Sequence, residues 1–128
     1  LVAPVIPSIN DSEIERILEA SQSAGAMTAK YILLRLPFEV SPLFREWLDT
    51  HYPLRAKHVM SLVQQSRGGK DYDSRWGVRM KGTGIFAATI EKRFRLAARK
   101  LHLDADIAPL DTHRFEAPLR AGDQLDLF

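Results

Sequence analysis

The first 37 residues contain two short apolar runs separated by an amphipathic segment. Residues 2–7 and 31–36 are the apolar runs; each stops at a proline, and each is typical of a strand that is buried on both faces. Between them, Ile14, Ile17 and Leu18 recur at helical spacing. The pattern predicts a strand-helix-strand unit, whose crossover is nearly always right-handed and whose two strands are therefore parallel.

Local signals mark the predicted helix ends. Ser12 followed by Glu15 is typical of a capping box at a helix start, and Gly25 is typical of the residue that ends a helix. Further along, Ser41 followed by Pro42 predicts the N-cap and first residue of a second helix.

A sheet of two parallel strands cannot cover its own faces and edges. Such sheets occur almost only inside larger α/β layers, so we expect residues 1–37 to belong to a larger α/β fold. The sequence also begins with strand-like residues rather than with methionine. Both observations favour a piece of a longer polypeptide.

The remaining sequence predicts a mainly helical extension, residues 38–103, and a flexible, extended tail, residues 104–128. Residues 68–84 contain five glycines and no periodicity, which predicts a long loop between two of the helices. The expected inward-facing residues are Phe44, Trp47 and Leu48 in the first helix, Ala56, Val59, Met60 and Val63 in the second, and Ile85, Phe86, Ile90, Phe94, Ala97 and Leu101 in the third.

The net charge of +2 conceals an uneven distribution along the chain. Residues 67–100 carry ten lysines and arginines against three carboxylates, whereas residues 101–128 carry two against six. We therefore expect a cationic face in the second half of the protein.

Composition excludes several kinds of chemistry. The sequence has no cysteine, which excludes disulfides, a thiolate nucleophile and an iron–sulfur cluster held in the usual way by these residues. Its four histidines lack metal-ligand spacing, and no Ser-His-Asp order or carboxylate pair predicts a catalytic residue. No apolar run approaches the roughly 18 residues of a membrane span, and no signal peptide is evident, so we expect a cytoplasmic protein without membrane contact.

Asn10 and Asp11 follow the first predicted strand. Ligands of α/β sheets bind at the carboxyl ends of parallel strands, so these residues are candidates for ligand binding. Helix capping by Asp11 or Ser12 is the alternative.

Residues 67–84, called the basic loop below, interleave cationic and aromatic side chains. Cations neutralise phosphates and aromatic rings stack on unpaired bases, so the loop is a candidate nucleic-acid surface. In the alternative interpretation, the arginines bind loop carbonyls and carboxylates such as Asp71 and Asp73, and Trp76 anchors the loop. The glycines match neither a Walker loop nor a dinucleotide fingerprint. The predicted nucleic-acid-binding residues are Arg67, Lys70, Arg75, Trp76, Arg79 and Lys81.

The last five residues end a polar segment with apolar side chains. Gln124, Leu125, Leu127 and Phe128 are candidates for partner binding, because exposed apolar residues at a terminus have no role in folding unless they dock. Docking on a partner and packing on the chain itself both stay open.

Several of these stretches together resemble a known enzyme family. Residues 3–11 (Ala-Pro-Val-Ile-Pro-Ser-Ile-Asn-Asp), the helix that follows and residues 31–37 look like the last strand-helix-strand portion of a radical S-adenosylmethionine (SAM) enzyme barrel. Residues 67–69, 77–84 and 124–128 are similar to the C-terminal extension of the spore photoproduct lyase-like group. The resemblance implies an α/β fold, in which a late piece of a partial (β/α) barrel precedes the helical extension and the tail.

The resemblance also implies cofactors and a site. Enzymes of this kind cleave SAM reductively with a 4Fe-4S cluster, whose three cysteines would lie in the upstream part of the same barrel. Val5, Ile6 and Pro7 match the late strand whose end packs near the adenine, with Asn10 beside them; at Ser8 the family commonly has glycine. This chain alone is expected to be inactive, and the resemblance leaves the substrate open, although photoproduct lyase itself repairs DNA.

The last five residues, Gln-Leu-Asp-Leu-Phe, also resemble the peptide by which many bacterial DNA-processing proteins bind the sliding clamp. A competing hypothesis follows, in which the chain is a non-catalytic adaptor. Its basic face would bind nucleic acid and its tail would recruit a clamp.

Overall fold

Two short parallel strands, β1 (Val2–Val5) and β2 (Tyr31–Leu33), form the sheet of this computed structural model, which describes residues 1–106, 109 and 111–118. The helices are α1 (Ile14–Ser23), α2 (Val40–His51), α3 (Ala56–Gln65), the short α4 (Val78–Lys81) and α5 (Gly84–Lys100), with 3-10 turns at Asp11–Glu13 and Thr112–Arg114. No helix in the described ranges combines the length and apolarity needed to cross a membrane.

The two strands pair in parallel, as the strand-helix-strand pattern predicts. Val2 is opposite Tyr31 and Val5 is opposite Leu33, with an irregularity between these pairs. Both strands are shorter than the apolar runs that predict them. Ala3 and Pro4 are exposed, so β1 is not buried on both faces as predicted within the described residues.

The chain after β1 turns in a way that the capping pattern does not predict. Ser12 lies in the 3-10 turn, and no side chain caps the first turn of α1, so the predicted capping box is absent. At the other end of α1 the prediction is confirmed. Gly25 has φ +90°, and the Ala26 N–H donates to the Ser21 carbonyl at 3.0 Å, which closes the helix with a Schellman motif.

Two hydrophobic cores lie on opposite sides of the chain that continues β2. Leu33 points into the first core, whereas Leu34 and Leu36 point into the second, since side chains of an extended segment alternate. The first core lies between the sheet, α1 and α5 and contains Val5, Ile14, Leu18, Leu33, Ala87, Ile90, Phe94, Ala98 and Leu103. The second lies between α2 and α3 and contains Leu34, Leu36, Leu48, Ala56, Val59, Met60 and Val63.

The helical extension follows the predicted pattern in α3 and departs from it in α2 and α5. All four predicted inward residues of α3 are buried. The helix α2 begins at Val40, so Ser41 lies inside its first turn and is not its N-cap. In α5, Ile85 is 90 % exposed, because the buried stripe runs through positions 87, 90, 94 and 98.

The predicted long loop contains a short helix, α4, and Gly77 and Gly82, with φ +81° and +77°, flank it. The tail begins with an antiparallel bridge between Thr28 and Asp104. Residues 107, 108, 110 and 119–128 of the predicted flexible tail lie outside the described part of the chain.

Candidate nucleic-acid interface

The basic loop is fastened at its start by Asp71. Arg45 of α2 donates from Nη2 to Oδ1 of Asp71 at 2.8 Å and from Nε to Oδ2 at 3.1 Å. The Ser41 hydroxyl donates to Oδ2, and Gln64 of α3 donates to Oδ1 at 2.9 Å. Burial alone would raise the pKa of Asp71, but the hydrogen bonds from Ser41, Arg45 and Gln64 lower it below its usual value. The loop therefore leaves the helices from a fixed, ionised anchor.

Arg67 is a structural residue, and its prediction as part of a nucleic-acid surface is wrong. The residue is 1 % exposed. Its Nη2 donates to the carbonyls of Leu33 and Leu34 at 3.2 and 2.8 Å, and its Nη1 donates to the carbonyl of Val78 at 2.9 Å. Arg67 thus joins the end of β2 to α4 from the inside. Sequence patterns class an arginine next to two glycines as solvated, since buried arginines are rare.

Arg75 is exposed, but most of its hydrogen-bonding capacity goes to Asp73. Its Nη2 donates to Oδ2 of Asp73 at 2.6 Å, its Nε contacts both oxygens at 3.1 Å, and its backbone N–H donates to Oδ1 at 3.0 Å. Hydrogen bonds from the Arg75 side chain and backbone lower the pKa of Asp73 to about 2. The Asp73–Arg75 pair is close to neutral. For Arg75, this matches the alternative interpretation, in which the loop arginines bind carboxylates of the loop itself.

Trp76 and Arg79 form an exposed platform. The Trp76 ring is 84 % exposed, and the Arg79 guanidinium lies over it, 4.3 Å from the ring centroid. The alternative prediction, that Trp76 anchors the loop to the core, is wrong. A ring backed by a guanidinium presents a flat π-face beside a positive charge, which is a combination that stacks on bases and attracts phosphates.

Lys70 and Lys81 complete the exposed cations of the basic loop. Both side chains are at the surface. Lys81 pairs with Glu91 of α5 at 3.0 Å, whereas none of the ion pairs within the described residues involves Lys70. Of the six predicted nucleic-acid-binding residues, the structure therefore brings five to the surface.

Arg35 is a further cation at this site that sequence analysis missed. It follows β2 and reaches towards the basic loop, where Nη2 donates to the Tyr72 hydroxyl at 3.0 Å and Nη1 lies 3.7 Å from the Met80 sulfur. The signal was present in the sequence, because an arginine that interrupts an apolar run, Leu-Leu-Arg-Leu, is unusual.

A polar cavity of about 490 Å³ lies where α3 meets the basic loop. Arg67, Lys70, Tyr72, Ser74 and the Asp73–Arg75 pair line it. The cavity is called the loop cavity below.

The residues predicted to contact SAM do not form an open site in the described chain. Val5 and Pro7 are buried, and Ile6 packs against the second core. The Asn10 side chain accepts from the Ile6 N–H at 2.7 Å and donates to the Pro4 carbonyl at 3.0 Å. Asn10 thereby ties the turn after β1, and these four residues do not fit a SAM pocket by themselves.

The described residues contain no group of three His, Cys, Asp or Glu able to hold a metal ion. The chain has no cysteine, so its own residues do not fit a 4Fe-4S cluster. The predicted partner-binding residues, Gln124, Leu125, Leu127 and Phe128, lie outside the described part of the chain.

Comparisons with known proteins leave the family open. No protein-family model, no curated protein and no solved structure matches this chain.

Proposed function

We propose that this chain is the late part of a radical SAM enzyme of the spore photoproduct lyase-like type. One observation carries the proposal: β1 and β2 are parallel, are joined through α1, and each have a strand neighbour on one side only among the described residues. A parallel pair with an open edge is built to continue into a larger sheet. The missing neighbours would be the upstream strands of the same barrel, in the cytoplasm.

The turn after β1 adds support. Ser8 adopts φ +58°, in the left-handed region that favours glycine. Glycine is the residue common at this position in the family that the sequence resembles. The backbone at Ser8 therefore has the conformation that explains a glycine there.

The share of this chain in such an enzyme is architectural. A 4Fe-4S cluster supplies the electron that cleaves SAM, and the chain has no thiolate to hold one. Val5 belongs to the first core, Pro7 is buried and Asn10 fixes the turn, so these residues would support the barrel wall from behind and would not contact SAM by themselves.

The test compares the chain alone with the longer polypeptide. The chain is combined with an upstream segment that carries three cysteines, and 5′-deoxyadenosine is measured in the presence of dithionite and SAM. The combination is expected to produce 5′-deoxyadenosine and the chain alone to produce none. Product from the chain alone, or an upstream reading frame without a cysteine triplet, would refute the proposal.

A second function, binding of single-stranded nucleic acid, is favoured by the platform of Trp76 and Arg79. The ring is exposed and the guanidinium lies 4.3 Å from its centroid, while Lys70 and Lys81 are at the surface nearby in sequence. Stacking on one base contributes about 1–3 kcal/mol in proteins of this kind. In this role the chain is an adaptor, and its last residues would recruit a sliding clamp. One protein can combine this role with the first.

Fluorescence tests the stacking. In a Trp47→Phe background Trp76 is the only tryptophan, and an unpaired oligonucleotide should quench its fluorescence when tryptophan is excited selectively, with an affinity that falls steeply as salt rises. Trp76→Ala, followed by anisotropy of a labelled oligonucleotide, should weaken binding about tenfold. Phe115→Ala removes another exposed aromatic ring and serves as the matched control. Equal binding by the two variants would exclude the platform.

The clamp is tested separately. A peptide of residues 119–128 should bind a bacterial sliding clamp, Phe128→Ala should abolish binding, and added salt should have little effect because the contact is apolar. Failure of this peptide would remove the clamp from the proposal and leave the platform unaffected.

A further inference from the structure

The loop cavity contains more positive than negative charge. Arg67, Lys70 and Arg75 line it against a single carboxylate, Asp73. Both oxygens of Asp73 are already engaged by Arg75. In the described part of the chain, no ion pair within 4.0 Å involves Arg67 or Lys70, so neither of these two positive charges has a carboxylate in contact.

A second arginine, Arg35, follows Leu34, whose carbonyl accepts from Arg67 at 2.8 Å. Burial lowers the pKa of Arg67 most, Asp73 raises it by the next largest effect, and Arg35 lowers it by a smaller one. Nη2 of Arg35 donates to the hydroxyl of Tyr72, which also lines the loop cavity. Neighbouring like charges with no carboxylate in contact are costly unless an anion balances them.

Two hydrogen-bond donors of these arginines also have no partner. The Nε atoms of Arg35 and Arg67 are both buried and donate to nothing among the described residues. An unsatisfied buried donor is rare in folded proteins, and more so on a charged group.

We propose that the loop cavity binds a phosphate group. A phosphate monoester brings up to two negative charges and a phosphodiester brings one, and the oxygens of either accept from guanidinium, ammonium and hydroxyl donors together. Lys70, Ser74 and Tyr72 supply such donors around a space of about 490 Å³. The phosphate belongs either to a free mononucleotide or to a nucleic-acid strand that stacks on Trp76. Only the strand as the source of the phosphate rests on the second function proposed above.

The experiment is a titration of the full 128-residue chain, labelled with ¹⁵N, with inorganic phosphate. Chloride at matched ionic strength and acetate are the comparison salts. The amides of Gly68, Lys70 and Ser74 should shift with phosphate and not with the other two anions. Equal shifts in all three salts, or no shift at these amides, would overturn the proposal.

Variants then assign the site. Lys70→Ala should weaken phosphate binding about tenfold or more, as expected for one hydrogen bond to a charged group. Lys57→Ala is the matched control, because Lys57 is an exposed lysine at the opposite end of α3. Amide spectra without phosphate verify that both variants fold. Equal affinities of these two variants would overturn the proposal.

Two further ligands distinguish the phosphate sources and separate phosphate binding in the loop cavity from nucleic-acid binding. Adenosine monophosphate is compared with an oligothymidine without terminal phosphates. If only the mononucleotide binds, and Lys70→Ala still weakens its binding, the loop cavity binds free phosphates. In that case the proposed nucleic-acid binding is wrong and the phosphate site stands. If the strand binds, Trp76→Ala should weaken the strand and leave inorganic phosphate unchanged, while Lys70→Ala weakens both.

Discussion

Arg93 of α5 binds Glu15 of α1 through two parallel hydrogen bonds, from Nε to Oε1 at 2.9 Å and from Nη2 to Oε2 at 2.7 Å. The two residues are 78 positions apart, so the pair joins the first helix of the chain to the last long one. Glu15 is the residue that a local capping box would have used. Its carboxylate instead fastens α1 to α5 above the first core.

This pair predicts a pH-dependent contribution to stability. The Arg93 hydrogen bonds lower the pKa of Glu15 in the folded protein below its ordinary 4.5, so as pH falls the unfolded state takes up the proton first. The contribution is present above pH 4.5 and is lost as pH falls through the lower folded-state pKa. Both side chains are a third or more exposed, which limits it to about 0.5 kcal/mol.

Urea unfolding of Glu15→Gln measures this contribution. At pH 7 the variant should be less stable than the parent chain, and the difference should disappear near pH 3. Glu19→Gln, an exposed glutamate of the same helix, is the control and should change stability at neither pH. A difference that is equally large at both pH values would contradict the linkage.

Substitution of Arg67 should cause a large loss of stability, whereas substitution of the exposed Lys70 should not. Arg67→Met leaves the carbonyls of Leu33, Leu34 and Val78 without their donor inside the protein, so we expect a loss of about 3 kcal/mol. Arg67→Lys retains the charge but not the planar fork, and should lose at least about 1 kcal/mol. Thermal unfolding gives both values, and Lys70→Met should stay within about 0.5 kcal/mol. Similar losses for Arg67→Met and Lys70→Met would contradict the buried role.

The features that sequence predicted are those that short segments determine. Gly25 ends α1 because only a few neighbouring residues decide a Schellman motif. The parallel pairing follows from the length of the connection between the strands. The buried face of α3 could be predicted because every third or fourth residue is apolar and the helix packs along its whole length.

The features that sequence missed depend on residues far along the chain. Ser41 has the composition of an N-cap, but its hydroxyl donates to Asp71, which is 30 residues away. Ile85 fits the apolar period, yet the first turn of α5 projects beyond the core. Arg67 and Arg35 occupy the space between β2, α4 and the loop, and no local pattern shows which arginine will be buried there.

Gly82 predicts a steric requirement at the point where the basic loop returns to the fold. A Cβ at Gly82 would lie 2.9 Å from Cδ2 of Leu33 and 3.0 Å from the carbonyl oxygen of Ser66, and its φ is +77°. Gly82→Ala should therefore lose about 3 kcal/mol, from left-handed backbone strain together with overpacking. Gly69→Ala is the matched control: its φ is +85° but nothing lies within 4 Å of the added Cβ, so it should lose only about 1 kcal/mol. Chemical denaturation compares the two, and equal losses would show that the close approach to Leu33 relaxes.

The contacts of Asp71 imply that the basic loop can detach from α2 and α3 while both cores stay folded. Asp71→Asn removes the charge that Arg45 binds and weakens the bonds from Ser41 and Gln64, which should cost about 1–2 kcal/mol. Because these contacts fix only the start of the loop, the cost falls on the free energy of opening the loop and not on that of global unfolding. Trypsin should therefore cleave after Arg75 several-fold faster in the variant, while the unfolding transition of the cores shifts little. Asp49→Asn, an exposed aspartate of α2, is the control and should leave the cleavage rate unchanged. Cleavage that accelerates only in step with global unfolding would contradict a separately anchored loop.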